Sequence, residues 1–139
     1  MGQAAGIVRR WIELYNDGTP EEYGSDRYLE LYAPTLNWIE MPTAMFPSGR
    51  TGNLEAMRDA VRHAGEILRN RHIELDEIIE EGNIAFWTAN WSATVAVDAP
   101  DGISIKAGDR MRIRLAIIIE VVDNMIVRQH EYLSNPEVV

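Results

Sequence analysis

From His72 onward, apolar residues recur at every second position, and the runs are broken by short polar clusters. Ile73–Ile79 and Ile84–Val97 flank Glu80-Glu81-Gly82-Asn83, which predicts a β-hairpin. Asp98-Ala99-Pro100-Asp101-Gly102 then turns the chain towards Gly108. Met111-Arg112-Ile113-Arg114-Leu115 alternates, Ala116-Ile117-Ile118-Ile119 is apolar throughout, and Asp123-Asn124 turns the chain into Met125–Leu133. A long antiparallel hairpin with an apolar centre has one face on the core and the other under a second layer or a partner subunit.

The first half of the chain has the helical period. Gln3–Asp17 gathers Ala4, Ile7, Val8, Trp11, Leu14 and Tyr15 on one face, and Gly18 stops it. Thr19-Pro20-Glu21-Glu22 opens a second helix, which Gly24-Ser25-Asp26 interrupts. Tyr28, Leu29 and Tyr32 give it a short apolar face before Pro34 ends it. Thr35–Met41 is a short strand closed by Pro42, with Leu36, Trp38 and Glu40 on one face and Asn37, Ile39 and Met41 on the other. Thr43–Gly52 is a loop, and Asn53 caps a third helix running to about Asn70, with Leu54, Met57, Val61, Ala64 and Leu68 in one stripe. Three helices followed by a four-stranded antiparallel meander predict a single α+β domain over residues 1–139. The curved sheet is expected to wrap the helices as a cone, closed by core at one end and open at the other.

Composition narrows the function. At 139 residues the chain buries a sizeable core, and without cysteine it gains nothing from disulfides or thiolate metal sites. The net charge of −9, with Lys106 as the single lysine, repels phosphate backbones and anionic lipid, so neither nucleic acid nor a membrane surface is an expected partner. The longest apolar stretch, Leu115–Ile119, is far too short to span a bilayer, and the first residues carry no basic-then-apolar leader, so a cytoplasmic location is expected.

The candidate chemistry is carboxylate chemistry. Glu40 follows Trp38 on one strand face, and a carboxylate beside an indole is placed to have a raised pKa and act as a general base or acid. The alternative is an ordinary solvated Glu. His130, Glu131 and Tyr132 offer an imidazole, a carboxylate and a phenol, but His130 and Tyr132 share a face that Glu131 does not, unless a bulge intervenes. Either His130 or Glu131 can equally be structural, as a rim histidine or in a salt bridge to a neighbouring arginine. On Ile84–Val97, Phe86, Thr88 and Asn90 share one face, and Trp87, Ala89 and Trp91 the other. Asn90 among apolar neighbours is placed to orient a carbonyl. His63, His72 and His130 lack metal-ligand spacing, and no Gly-rich phosphate loop is present.

This pattern resembles the nuclear-transport-factor-2-like superfamily, in its SnoaL-like, ketosteroid-isomerase-like branch, across nearly the whole chain. The motifs that carry the resemblance are Tyr32-Ala33-Pro34 before a short strand, Gly49–Gly52 and the meander. Trp38-Ile39-Glu40-Met41-Pro42 and Gln129-His130-Glu131-Tyr132-Leu133 stand where limonene epoxide hydrolases hold a catalytic water and an acid/base carboxylate. That match implies that Trp38, Glu40 and Glu131 face a cavity. The Arg-x-Asp pair of those hydrolases has no counterpart at Ala89-Asn90-Trp91, and Met41 stands where ketosteroid isomerases carry their base. The C-terminal Asp of SnoaL-type cyclases falls near Ser134.

The resulting expectation is a cofactor-independent and metal-free enzyme with an apolar cavity. It would use Glu40, Glu131 and His130 for isomerisation, cyclisation, hydration or epoxide hydrolysis of a terpenoid-, polyketide- or steroid-like substrate. Tyr15, Trp38, Asn90 and Tyr132 would form the pocket wall. A non-catalytic ligand-binding or dimeric scaffold domain is the alternative, since this fold serves that way too. A homodimer is also expected, because Trp87, Trp91, Ile118 and Val122 are read as a second apolar face opposite Phe86, Ile117 and Ile119.

Overall fold

The computed structural model describes residues 3–17 and 26–139. Helix α1 (Gln3–Tyr15) is followed, after a 3-10 turn at Arg27–Leu31, by β1 (Tyr32–Glu40), β2 (Arg50–Gly52) and α2 (Leu54–Ile67). The long strands β3 (Leu68–Glu81), β4 (Ile84–Val95), β5 (Arg110–Val122) and β6 (Met125–Leu133) come next, and β7 (Glu137–Val138) ends the chain. One sheet holds all the strands in the order β2-β1-β6-β5-β4-β3, with β7 paired to β5. The α+β expectation holds: helices pack on a large, curved, unclosed sheet.

The sheet is mixed, because β1 runs parallel to β6 while every other pairing is antiparallel. Among the described residues there are two α-helices and one 3-10 turn. The expected second helix from Thr19 to its break at Gly24-Ser25 lies outside the described residues, as does its predecessor's stop at Gly18. Tyr32, expected on that helix, instead opens β1. The cause is Pro34, whose ring pushes the preceding residue into extended backbone, so the strand begins before the proline. Helix α2 has the expected Asn53 cap, whose side chain accepts a bond from the Ala56 amide at 3.0 Å. It ends three residues before Asn70, because buried Leu68 pairs with Val95 in the sheet and tertiary pairing overrides helical periodicity. The Asp123-Asn124 turn has both residues at positive φ, 51° and 64°, as a tight hairpin with the sheet's twist requires.

The core lies between α1 and the concave face of the sheet. Ala4, Val8, Trp11, Leu14 and Tyr15 of α1 are buried against Ile73, Trp87, Ile117 and Ile119. Trp11 stacks on Tyr15 at 5.0 Å between ring centroids and meets Tyr28 at 4.8 Å and Trp87 at 5.5 Å. Asn16, just beyond α1, clips the helix to β3 by donating to the Ile73 carbonyl (2.8 Å) and accepting from its amide (2.9 Å).

Cross-strand pairing corrects the expected division of apolar faces. Phe86 pairs with Ile118 and Trp87 with Ile117, so Ile118 sits with Phe86 on the outer face, away from Trp87. Ile79, Phe86, Ile118, His130 and Ile39 form one row across five strands of that outer face. Met41, Ile79, Phe86, Val122 and Tyr132 are each 38–59 % exposed, which is much apolar surface for one sheet face. We propose that a second copy of the chain covers it. Sedimentation equilibrium at micromolar concentration is expected to give the dimer mass, and Phe86→Glu the monomer mass with unchanged circular dichroism; a monomeric wild type would remove the proposal.

Candidate functional site

A cavity of about 270 Å³ opens between the concave face of the sheet, α1 and α2. Its wall is apolar and aromatic, and among the described residues four charged side chains other than His63 reach it: Glu40 and Glu131, Arg50 and Arg71.

Strand alternation places the two acids. On β1, Leu36, Trp38 and Glu40 all turn inward and are buried; Asn37 turns out. On β6, Gln129 and Glu131 turn inward, and the parallel register sets Trp38 beside Gln129 and Glu40 beside Glu131. Glu131 Oε2 accepts the Trp38 indole N–H at 2.6 Å and the Gln129 amide at 2.9 Å. Gln129 Oε1 in turn accepts from the Tyr32 hydroxyl at 2.7 Å, and that hydroxyl accepts from Trp11 Nε1 at 2.8 Å. No hydrogen bond to Glu131 Oε1 occurs among the described residues, which leaves that oxygen for a ligand. Burial pushes the Glu131 carboxyl up to about 7, with the Glu40 charge adding to the rise and the two hydrogen bonds and Arg50 opposing it.

Glu40 has a different setting. Its side chain is 3 % exposed, and Arg50 clamps it with Nε on Oε1 at 3.2 Å and Nη2 on Oε2 at 2.6 Å. The guanidinium lies 3.8 Å from the Phe46 ring centroid and 5.3 Å from that of Trp38. Planar charge stacked on aromatics and forked onto a carboxylate is a geometry lysine cannot supply. Gly49 makes it possible: at φ +70°, a Cβ there would come 2.5 Å from the Glu40 carbonyl oxygen, so the 43–49 loop closes tightly on the end of β1.

Elsewhere in the wall, Tyr15 OH accepts from Trp91 Nε1 at 2.6 Å and from Arg71 Nη1 at 3.0 Å. Burial raises the Tyr15 pKa, with Arg71 opposing, so Tyr15 stays a phenol. Burial likewise raises that of Tyr32.

Of the residues expected to act, the structure brings Glu40, Glu131, Trp38 and Tyr15 to the cavity. His130, Tyr132 and Asn90 do not line it. His130 and Tyr132 face outward because β6 carries no bulge between Gln129 and Leu133, so neighbours alternate. The His130 Nε2 is buried with no hydrogen-bond partner among the described residues. Asn90 pairs across the outer face with Glu74 and Arg114, so it is half-buried among polar neighbours and points away from the pocket. Arg50, Arg71, Gln129 and Tyr32 are site residues the sequence reading passed over. Extending the alternation of Ile73 and Leu75 back by two residues would have found Arg71. No group of three or more His, Asp or Glu side chains is arranged for a metal ion among the described residues, and no helix there is long and apolar enough to cross a membrane.

Two stability outcomes follow. Removing Arg50 (Arg50→Met) leaves Glu40 buried and unpaired and is expected to lower unfolding free energy by about 3–5 kcal/mol in urea titrations. Glu131 is the opposite case. Its folded pKa, about 7, lies above the ordinary 4.5, so its ionisation burdens the fold as pH rises between those values. Glu131→Gln is therefore expected to raise stability by about 1–3 kcal/mol at pH 8 and to leave it unchanged near pH 4. The measurement is the difference in unfolding free energy between variant and wild type across that range.

Comparison with known proteins agrees with this architecture. Among curated proteins, none matches the sequence. IdmH of Streptomyces antibioticus, a candidate polyketide cyclase, is similar in structure with TM-score 0.73 at 17 % identity, covering 95 % of this chain and 92 % of its own. AclR of Streptomyces galilaeus, a candidate hydroxylase, matches with TM-score 0.73 at 11 % identity, over 94 % of this chain and 78 % of its own. A protein of ketosteroid-isomerase-like fold from Catenulispora acidiphila, solved with trimethylamine, matches with TM-score 0.66 at 15 % identity, over 92 % and 85 %. These likenesses concern the fold. The family model of the SnoaL-like domain matches residues 8–129, and the chain belongs to the SnoaL-like family.

Proposed function

We propose that this protein is a small-molecule enzyme in which Glu131 transfers a proton to and from a hydrophobic substrate held in the cavity. The observation that carries the reading is the Glu131 carboxyl itself. It stands in the wall of an apolar pocket with one oxygen anchored by Trp38 and Gln129, the other unengaged, and its pKa pushed up to about 7. A carboxyl poised near neutrality both gives and takes a proton at working pH, which is what enolisation, cyclisation or hydration needs.

Glu40 takes a supporting part in this reading. Doubly bonded to Arg50, it is a fixed negative charge beside Glu131 that helps keep the Glu131 carboxyl protonated. The expected roles of Glu40 as base and His130 as proton partner give way to Glu131 alone. Terpenoid-, polyketide- or steroid-like compounds suit an aromatic-lined pocket, and similarity to IdmH favours the polyketide class. An open cavity also speaks for a ligand-binding role over a scaffold whose interior is filled.

The test is turnover of a panel of hydrophobic enones, epoxides and polyketide-like diketones, repeated with Glu131→Gln. The amide keeps the shape and can still accept from Trp38 and Gln129, so a catalytic role predicts kcat/KM lower by about 10²–10⁴-fold. Unchanged turnover in Glu131→Gln would reject the acid/base role. Tight binding of panel compounds without conversion would reassign the protein as a ligand-binding module.

A further inference from the structure

Both lone pairs of Glu131 Oε2 are occupied, and what occupies them decides where the acid keeps its proton. Trp38 Nε1 donates to Oε2 at 2.6 Å and Gln129 Nε2 donates at 2.9 Å. An indole nitrogen only donates. A carboxamide presents either its nitrogen or its oxygen, so Gln129 is the member of the pair with a choice.

We propose that Gln129, oriented by Tyr32, is a positioning residue: it donates to Glu131 Oε2 and so confines the acid's exchangeable proton to Oε1, the oxygen left for the ligand. The inference rests on the reading of Glu131 as the group that transfers a proton. Three observations carry it. First, Gln129 is buried at 3 % exposure, and its amide finds its partners in Tyr32 at 2.7 Å and Glu131 at 2.9 Å. Second, the Tyr32 hydroxyl accepts from Trp11 Nε1 at 2.8 Å, and Gln129 Oε1 is the acceptor its own proton meets among the described residues. Turning the amide over would strand that buried hydroxyl proton. Third, Glu131 Oε1 has no hydrogen-bond partner among the described residues, and Glu131 lines the apolar cavity.

The turned-over amide defines the competing state. Its oxygen would accept a proton from Oε2, and the neutral acid would hold that proton against the wall with nothing to give a ligand. Trp38 does not prevent this, because an acid hydroxyl oxygen still accepts an indole N–H. The Tyr32 hydroxyl is what excludes it. Other groups act on the same carboxyl: its burial, the Glu40 charge on β1 and Arg50 on β2, while Tyr15 of α1 feels the Glu131 charge in turn. Across on β5 the paired residue is Ile117, which carries no charge. All of these stay in place when only Gln129 or Tyr32 is changed.

The experiment is a ¹³C NMR titration of the Glu131 carboxyl in the unliganded protein, assigned with Glu131→Gln. The wild-type midpoint is expected at about 7. Gln129→Met is expected to raise it by about one pH unit, since one of two donors to the carboxylate is gone. Tyr32→Phe is expected to raise it too, because the freed amide turns its oxygen to the acid and holds the proton. In the Gln129→Met background Tyr32→Phe is expected to add nothing, since Tyr32 acts through that amide. A merely structural role would move the midpoint alike in both backgrounds. An unmoved midpoint in Gln129→Met, or equal shifts from Tyr32→Phe with and without Gln129, would overturn the inference. Should Gln129→Met fail to fold, ¹⁵N-labelled wild type decides: the Gln129 side-chain amide protons are expected to shift with the Glu131 midpoint, and invariant resonances would overturn the positioning role. The titration needs no substrate, which separates the two readings. Unchanged turnover in Glu131→Gln with the coupling intact rejects the acid/base role alone. Turnover lost in Glu131→Gln with no coupling overturns the positioning role alone.

Discussion

A single relay of hydrogen bonds ties the elements of the site together and fixes its polarity. It runs from the Trp11 indole on α1 to Tyr32 at the head of β1, on to Gln129 on β6, and ends at Glu131, where Trp38 of β1 also delivers its N–H. Indoles only donate, so the Tyr32 hydroxyl must pass its own proton onward to Gln129. That requirement settles which way the Gln129 amide faces, with oxygen toward Tyr32 and nitrogen toward Glu131. Every link points the same way, and the carboxyl is the terminal acceptor. A relay with one sense of direction in a low-dielectric interior is cooperative, so helix and sheet hold the acid as a unit.

Much of this could be read along the chain. Period-3.6 and period-2 patterns located α1, α2 and the long hairpins, because each of these elements buries one face against the same core. Alternation alone put Leu36, Trp38 and Glu40 together, and the structure agrees. What escaped has local causes. Asn90 interrupts an apolar run and so looked buried, yet its neighbours across the sheet are Glu74 and Arg114. Arg71 precedes the stretch where β3 becomes recognisable, and as a cation it does not stand out as a continuation of the inward face of Ile73. Arg50 sits beyond a loop whose path depends on a glycine packed onto the Glu40 carbonyl.

Among the described residues, the two arginines that line the cavity both lie over aromatic rings, Arg50 over Phe46 and Arg71 over Tyr15. The guanidinium is weakly hydrated and flat, so it enters such a site at lower cost than an ammonium and still presents donors at its rim. Arg50 holds the buried Glu40 carboxylate within hydrogen-bonding distance, and Arg71 holds the Tyr15 hydroxyl, so each guanidinium ties a ring and a polar group of the cavity wall together.

The clip between Asn16 and Ile73 reaches beyond holding α1 in place. β3 is the last strand of an open sheet, and such a rim offers unpaired amides and carbonyls to any extended chain that drifts alongside. Asn16 occupies both backbone groups of Ile73 with its own amide. On one side of that position the bulge at Asn70 breaks the regular spacing of free groups; on the other, Glu74, Asp76 and Glu77 are exposed. At the far rim β2 is only three residues long. A sheet that stays open to keep a chamber inside it thus carries, along β3, a bulge, a side-chain clip and exposed carboxylates that each hinder the addition of a further strand.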